Sequence, residues 1–295
     1  MNKNPYIKFI FLIIILLSLF FITSFAKIFA LYHPIAYHPI KYQRFYHKLK
    51  SLVENPDYII KAQVPTPDKL LLDSIFIKNP DTSRCIIYFH GNSGNISMRF
   101  DMIKKLYNYA SVLIFDYRSY GKSQGTLTDL SEKALVLDGK TIWTYANLNL
   151  GFKSDTITFF GESLGCSIAL KLASELKCSR ITPHSLILNS PFYSLKTMIS
   201  HVLDGTIIRI ATPIVSLMYG REYKTHSHLA SLNPKIKIII AHSSSDEIIP
   251  YEQGYDLYFE AKKTVPSTKF ITISGTHEKL GLTDEYFYAI SDMLA

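Results

Sequence analysis

The sequence predicts an α/β protein, a mainly parallel β-sheet covered by helices. Three observations carry that reading. Short β-branched runs alternate with longer helical stretches along the chain. Several of those runs, Ile86–Phe89, Val112–Phe115 and Ile238–Ala241, are apolar throughout, as suits strands buried on both faces. The chain is 47% hydrophobic. After an N-terminal apolar segment about 270 residues remain, enough to bury a full core.

That apolar segment is the first element. Phe9–Ala26 carry no charge and are flanked by Lys8 and Lys27. As a helix they would span about 27 Å, just enough for a hydrocarbon core. Residues 1–30 therefore read as a signal anchor or single-pass transmembrane helix. The alternative is a cleaved signal peptide, for which Ser24-Phe25-Ala26 offers a small-x-small site, leaving a secreted or periplasmic protein. Basic residues flank both ends almost evenly, and the short basic head favours a domain on the exported side. Residues 31–56 follow as a juxtamembrane linker. Its tandem, Tyr32-His33-Pro34-Ile35 and Tyr37-His38-Pro39-Ile40, reads as extended chain stiffened by proline, with tyrosines at the membrane interface, rather than as a metal site.

Residues 57–295 read as one domain. Candidate strands are Tyr58–Val64, Leu71–Ile77, Cys85–Phe89, Val112–Phe115, Thr156–Phe160, Leu186–Asn189, Ile236–Ala241 and Lys269–Ile273. Candidate helices are Ile96–Tyr109, Leu130–Asn147, Ser163–Leu176, Tyr251–Lys263 and Thr283–Leu294. Only Pro65-Thr66-Pro67-Asp68 joins the first two strands, which predicts an antiparallel hairpin at a sheet edge. Residues 192–229 break the rhythm, being helical and apolar without a clear strand. They read either as a cap over the site or as ordinary core-packing helices.

Composition excludes several classes. Three cysteines, Cys85, Cys166 and Cys178, cannot build a disulfide framework and show no zinc spacing. The net charge of +8 is spread without a basic run longer than two residues in the body, and no nucleic-acid-binding motif is present. Neither a metal nor a cofactor is expected, and no nucleic acid is expected as partner.

The strongest chemical signal is Gly161-Glu162-Ser163-Leu164-Gly165 between a strand and a helix. A turn this tight needs small flanking residues and lifts the serine hydroxyl above the sheet. The Leu164 N–H, at the helix start, is a candidate oxyanion donor. The loop after Cys85–Phe89, His90-Gly91-Asn92-Ser93-Gly94-Asn95, offers the Asn92 N–H as the second, with His90 expected to be structural. A serine nucleophile needs a base, and the base an orienting acid. Asp246 follows the Ile236–Ala241 strand and His277 follows the last one, giving the order Ser163, Asp246, His277. Glu247 is the rival acid. Asp116 and Arg118 read as loop-fixing residues and Cys166 as a packing residue.

Taken in order, HGNSGN, DYRSYGKS, GESLG, HSSSDEIIP and GTH resemble the α/β-hydrolase superfamily, and within it the membrane-anchored α/β-hydrolase-domain serine hydrolases. The resemblance covers roughly residues 55–295. It implies an α/β-hydrolase fold with an eight-stranded, mostly parallel sheet and a short helical cap at about 192–229. It also implies a Ser163–His277–Asp246 triad acting without cofactor. Four departures stand out: Ser243 and Ser119 replace usual glycines, Lys69 stands where Asp-Gly is familiar, and Glu278 stands where asparagine is common. The expected function is a serine hydrolase of the esterase, lipase or thioesterase type. Its expected partners are a small-molecule acyl ester or thioester or an acylated protein, with membrane lipid reached through the anchor. The alternatives are a peptidase of the same fold and a catalytically silent, membrane-anchored binding protein.

Overall fold

The computed structural model describes residues 39–177, 181–202 and 223–295. Helix α1 (Pro39–Lys50) opens it, followed by the β1 (Ile59–Pro65) and β2 (Leu71–Ile77) hairpin. Then come β3 (Cys85–Phe89), α2 (Phe100–Tyr107), β4 (Ser111–Phe115), α3 (Glu132–Leu148), β5 (Ile157–Glu162) and α4 (Leu164–Lys177). The chain continues through β6 (Ser185–Asn189), α5 (Leu195–Val202), β7 (Lys237–Ser243) and α6 (Tyr251–Thr264). It closes with β8 (Lys269–Gly275), β9 (Leu280–Gly281) and α7 (Asp284–Leu294). The sheet order is β1-β2-β4-β3-β5-β6-β7-β8-β9, parallel from β4 to β8 and antiparallel at both ends.

Among the described residues the sheet therefore has nine strands where eight were expected. The ninth is two residues long and pairs with the end of β8, Gly275 opposite Leu280. So short a strand carries no periodicity for a sequence to display.

Alternation along the central strands builds two cores. Cys85, Ile87 and Phe89 of β3 face one side, where α3, α4 and α6 supply Ile142, Trp143, Ile168, Leu172, Leu257 and Ala261. Ile86 and Tyr88 face the other, where α1, α2 and α7 supply Phe45, Leu49, Ile103, Leu106, Tyr286 and Ile290. Both faces of these strands are buried, which is why their sequences are apolar at consecutive positions.

Residues 39–50, expected as extended linker, are helical instead. Pro39 sits in the first turn, where its missing N–H costs nothing, and Phe45 and Leu49, four apart, are buried to 1% and 0% exposure. Burying two such side chains stabilises this docking by about 1.5–3 kcal/mol each. The segment Phe9–Ala26, the YHPI tandem up to His38, Cys178 and residues 203–222 lie outside the described residues. Among those that are described, no helix is long and apolar enough to cross a membrane.

Candidate active site

At the β5–α4 junction the chain turns within one residue. Ser163 has φ +50°, a left-handed conformation that costs a non-glycine residue roughly 1–2 kcal/mol. Its N–H donates to Asn189 O at 2.9 Å, and its carbonyl accepts from Cys166 N at 3.0 Å. The flanking glycines are sterically required. A Cβ on Gly161 would lie 2.7 Å from Cys166 Cα, and one on Gly165 would be driven into the Phe89 carbonyl. Leu164 is the first residue of α4, so its N–H has no acceptor within the helix.

Across the cavity lies the loop after β3. His90 is fully buried, with Nδ1 2.7 Å from Gly91 O, and burial depresses its pKa to about 3. Asn92 is fixed by Tyr120, whose hydroxyl donates to Asn92 Oδ1 at 2.7 Å. Asp116 closes the loop by accepting from Ile96 N at 2.9 Å. Arg99, which no motif singled out, lines the cavity with Nε 3.2 Å from Glu162 Oε2, and its Nη2 donates to Ser93 O.

His277 and Asp246 meet at the ends of β8 and β7. His277 Nδ1 lies 2.8 Å from Asp246 Oδ2, while Asp246 Oδ1 accepts from Ile248 N at 3.0 Å and Ile249 N at 2.8 Å. Burial pushes against ionisation of Asp246. The His277 hydrogen bond and the two amides outweigh it and hold the carboxyl below its ordinary value. An ionised carboxylate only accepts, so His277 Nδ1 is the donor of this bond. Glu247 takes a different partner, accepting from the His277 backbone N–H at 3.0 Å. Ser163 and His277 line one cavity without a direct hydrogen bond between them among the described contacts.

Three of the departures from the family pattern can be placed in the structure. Ser243 Oγ donates to Gly275 O and accepts from Ser245 N at 3.1 Å, tying the acid loop to the histidine loop. Ser119 and Lys69 adopt φ +67° and +71°, so a side chain occupies a conformation that glycine would enter freely. Ser119 recovers a hydrogen bond to Thr126 O at 2.6 Å. Cys166 is fully buried, its Sγ is 3.2 Å from Asn189 O, and burial pushes its thiol well above the ordinary range. Arg118 is spent on Asp138 and Asp68.

The cavity measures about 460 Å³. Met98, Met102, Phe192, Leu195, Met198 and Ile248 give it apolar walls, and Lys105, Glu278 and Lys279 add charge. Phe192, Leu195 and Met198 also belong to the core, so the described part of 192–229 both packs the domain and lines the site. Among the described residues no cluster of His, Cys, Asp and Glu is arranged to hold a metal ion.

No family profile matches the chain. It is 47% identical over 270 residues to uncharacterized protein R595 of Acanthamoeba polyphaga mimivirus, a match covering 90% of this chain and 91% of that protein. It is 28% identical over 219 residues to the lysophosphatidylserine lipase ABHD12 of Bos taurus, covering 69% of this chain and about half, 52%, of the lipase. Among solved structures, the Pyrococcus furiosus esterase Pf2001 superposes with a TM-score of 0.66 at 21% identity, covering 83% of this chain and 92% of that one. The chain belongs to the α/β-hydrolase superfamily.

Proposed function

We propose that the protein is a serine hydrolase that cleaves carboxylesters or thioesters of acyl chains through an acyl-enzyme. The observation that carries this reading is the His277–Asp246 hydrogen bond, made at the rim of the cavity whose wall holds Ser163 in its left-handed turn. Ser163 Oγ attacks the acyl carbonyl while His277 Nε2 takes its proton. Asp246 holds the imidazole in the required tautomer and stabilises the imidazolium. The N–H groups of Leu164 and Asn92 receive the oxyanion. His277 then returns the proton to the leaving group, and water, activated by the same base, releases the acid.

The apolar walls favour an acyl chain over a peptide, and the similarities to an esterase and to a lipase point the same way. We further propose that residues 9–26 anchor the chain in a membrane with the domain on the exported side, placing the site near its lipid or acylated-protein substrates.

The test is turnover by the full chain in proteoliposomes, across p-nitrophenyl esters from acetyl to palmitoyl and the matching acyl thioesters. Wild type should prefer the longer chains, and Ser163→Ala should lower kcat by about 10³-fold or more. Equal turnover by Ser163→Ala, or none by folded wild type on the whole panel, would overturn the reading.

A further inference from the structure

Arg99 stands between the two segments that carry the proposed oxyanion donors. It precedes α2, at the end of the short turn Ile96–Met98, with a side chain 16% exposed on the cavity wall. On one side its Nη2 donates to the carbonyl of Ser93, the residue after Asn92. On the other its Nε lies 3.2 Å from Oε2 of Glu162, the residue before Ser163. The same Nη2 is 3.9 Å from where a Cβ on Gly91 would stand, so the guanidinium lies against the residue before Asn92 as well.

One side chain thus bridges the β3 loop and the β5–α4 elbow. The two segments also meet through backbone, Phe89 opposite Gly161 in the ladder and Gly165 against the Phe89 carbonyl. Beyond those points Tyr120 fixes the Asn92 side chain, His90 bonds the Gly91 carbonyl, and Asn189 O accepts the Ser163 N–H.

We infer that the Arg99–Glu162 ion pair is a positioning clamp that sets the distance between the Asn92 and Leu164 N–H groups, and so shapes the oxyanion hole without touching the substrate. This rests on the serine-hydrolase reading above. An arginine suits the task because its planar group donates from Nη2 to Ser93 O while Nε, which makes no hydrogen bond, lies against Glu162 as an ion pair, whereas a lysine ammonium is a single point. Both contacts lie within the protein, so they are made before any substrate arrives. An oxyanion hole works through donors fixed in advance of the reaction, and small misplacements cost rate rather than binding.

The test uses the full chain with Arg99→Met, Arg99→Lys, Glu162→Gln and the Arg99→Met/Glu162→Gln double variant. Active-site titration with a fluorophosphonate counts competent enzyme, so rates are read per active site and loss of folded protein drops out. Steady-state kinetics and the Ki of a trifluoromethyl ketone, which forms a bound oxyanion, are then measured. Arg99→Met should lower per-site kcat about 10- to 100-fold with KM changed less than about 3-fold, and should weaken the ketone by a similar factor. Arg99→Lys should fail to restore the rate. The double variant should be no slower than Arg99→Met alone, since both changes undo one contact.

A raised KM with unchanged kcat would make Arg99 a substrate ligand and overturn the clamp. Full per-site activity of Arg99→Met would overturn it too, as would a kcat loss with unchanged ketone affinity. If folded wild type does not react with the fluorophosphonate, the hydrolase reading itself fails and takes the clamp with it. If wild type reacts and the variants match it, only the clamp fails.

Discussion

Asp246 and Asp73 are both buried carboxylates, and the protein treats them in opposite ways. Asp246, at the end of β7, has a side chain with 0% exposure, and three donors converge on it: two backbone amides and His277 Nδ1. Its pKa is held below the ordinary value. Asp73, in the edge hairpin, is 5% exposed and receives one side-chain hydrogen bond, from Gln63 Nε2 at 2.7 Å. Its Oδ2 is buried with no hydrogen-bond partner, and burial raises its pKa to about 6 against the weaker pull of Lys122 and Lys61. Burial is common to both; at Asp246 the hydrogen bonds outweigh it, at Asp73 they do not. The loop Asp246–Ile249 supplies the two amides that help to keep the Asp246 carboxylate charged beside His277. A third carboxylate, Asp138, is 0% exposed and is met by Arg118, with Nη2 2.7 Å from Oδ1 and the backbone N–H 2.9 Å from Oδ2.

The largest expected effect comes from removing the charge where it is best supported. Asp246→Asn should keep the fold and lower kcat by about 10³- to 10⁴-fold, because an amide in its place no longer enforces the His277 tautomer. Steady-state kinetics with circular dichroism as the folding control check it, and an undiminished kcat would break the comparison. Next, Arg118→Met should destabilise by about 3–5 kcal/mol, since Asp138 is left buried without its cation. Urea unfolding measures this, and a loss below about 1 kcal/mol would mean that the pair is not coupled as its geometry implies.

The smallest effect has the opposite direction. Asp73→Asn keeps the acceptor for Gln63 Nε2 and should stabilise the protein by about 1–3 kcal/mol above neutral pH. The sign follows from linkage. A carboxyl whose folded pKa is raised to about 6 adds stability below its unfolded value, and that stability is lost as pH rises through about 6. Asp246 runs the other way, its contribution being present above the unfolded value and lost on acidification. Unfolding midpoints at acidic, intermediate and alkaline pH should show the wild-type decline between about pH 4 and 6 flattened in Asp73→Asn. An unchanged slope would contradict the assignment.

Much of this architecture can be read in the sequence because it rests on runs of apolar residues. The eight longer strands coincide with the predicted runs to within a residue or two; those from β2 to β7 are buried on both faces and leave mostly apolar stretches, while β8 alternates buried and exposed positions. Helix α1 was hidden by its proline, although the Phe45–Leu49 spacing was available as a signal. Strand β9 left no pattern to find. At the site, the motifs point to residues that the fold gathers at one end of the sheet: Ser163 after β5, Asn92 after β3, Asp246 after β7 and His277 after β8. What the motifs could not supply is the second layer. Arg99 reaches Glu162 across 63 positions of sequence, and the Ser243 Oγ bond to Gly275 exists only once β7 and β8 are paired. Such contacts depend on three-dimensional register, which no local spacing encodes.

The central claim is that Ser163 is an activated nucleophile. The most direct measurement is to treat the membrane-reconstituted full chain with a fluorophosphonate and locate the adduct by peptide mass spectrometry in wild type, Ser163→Ala and His277→Ala. The account predicts a single adduct, on Ser163, in wild type and none in either variant. An adduct on another residue, undiminished labelling of Ser163 in His277→Ala, or no adduct on folded wild type would contradict it.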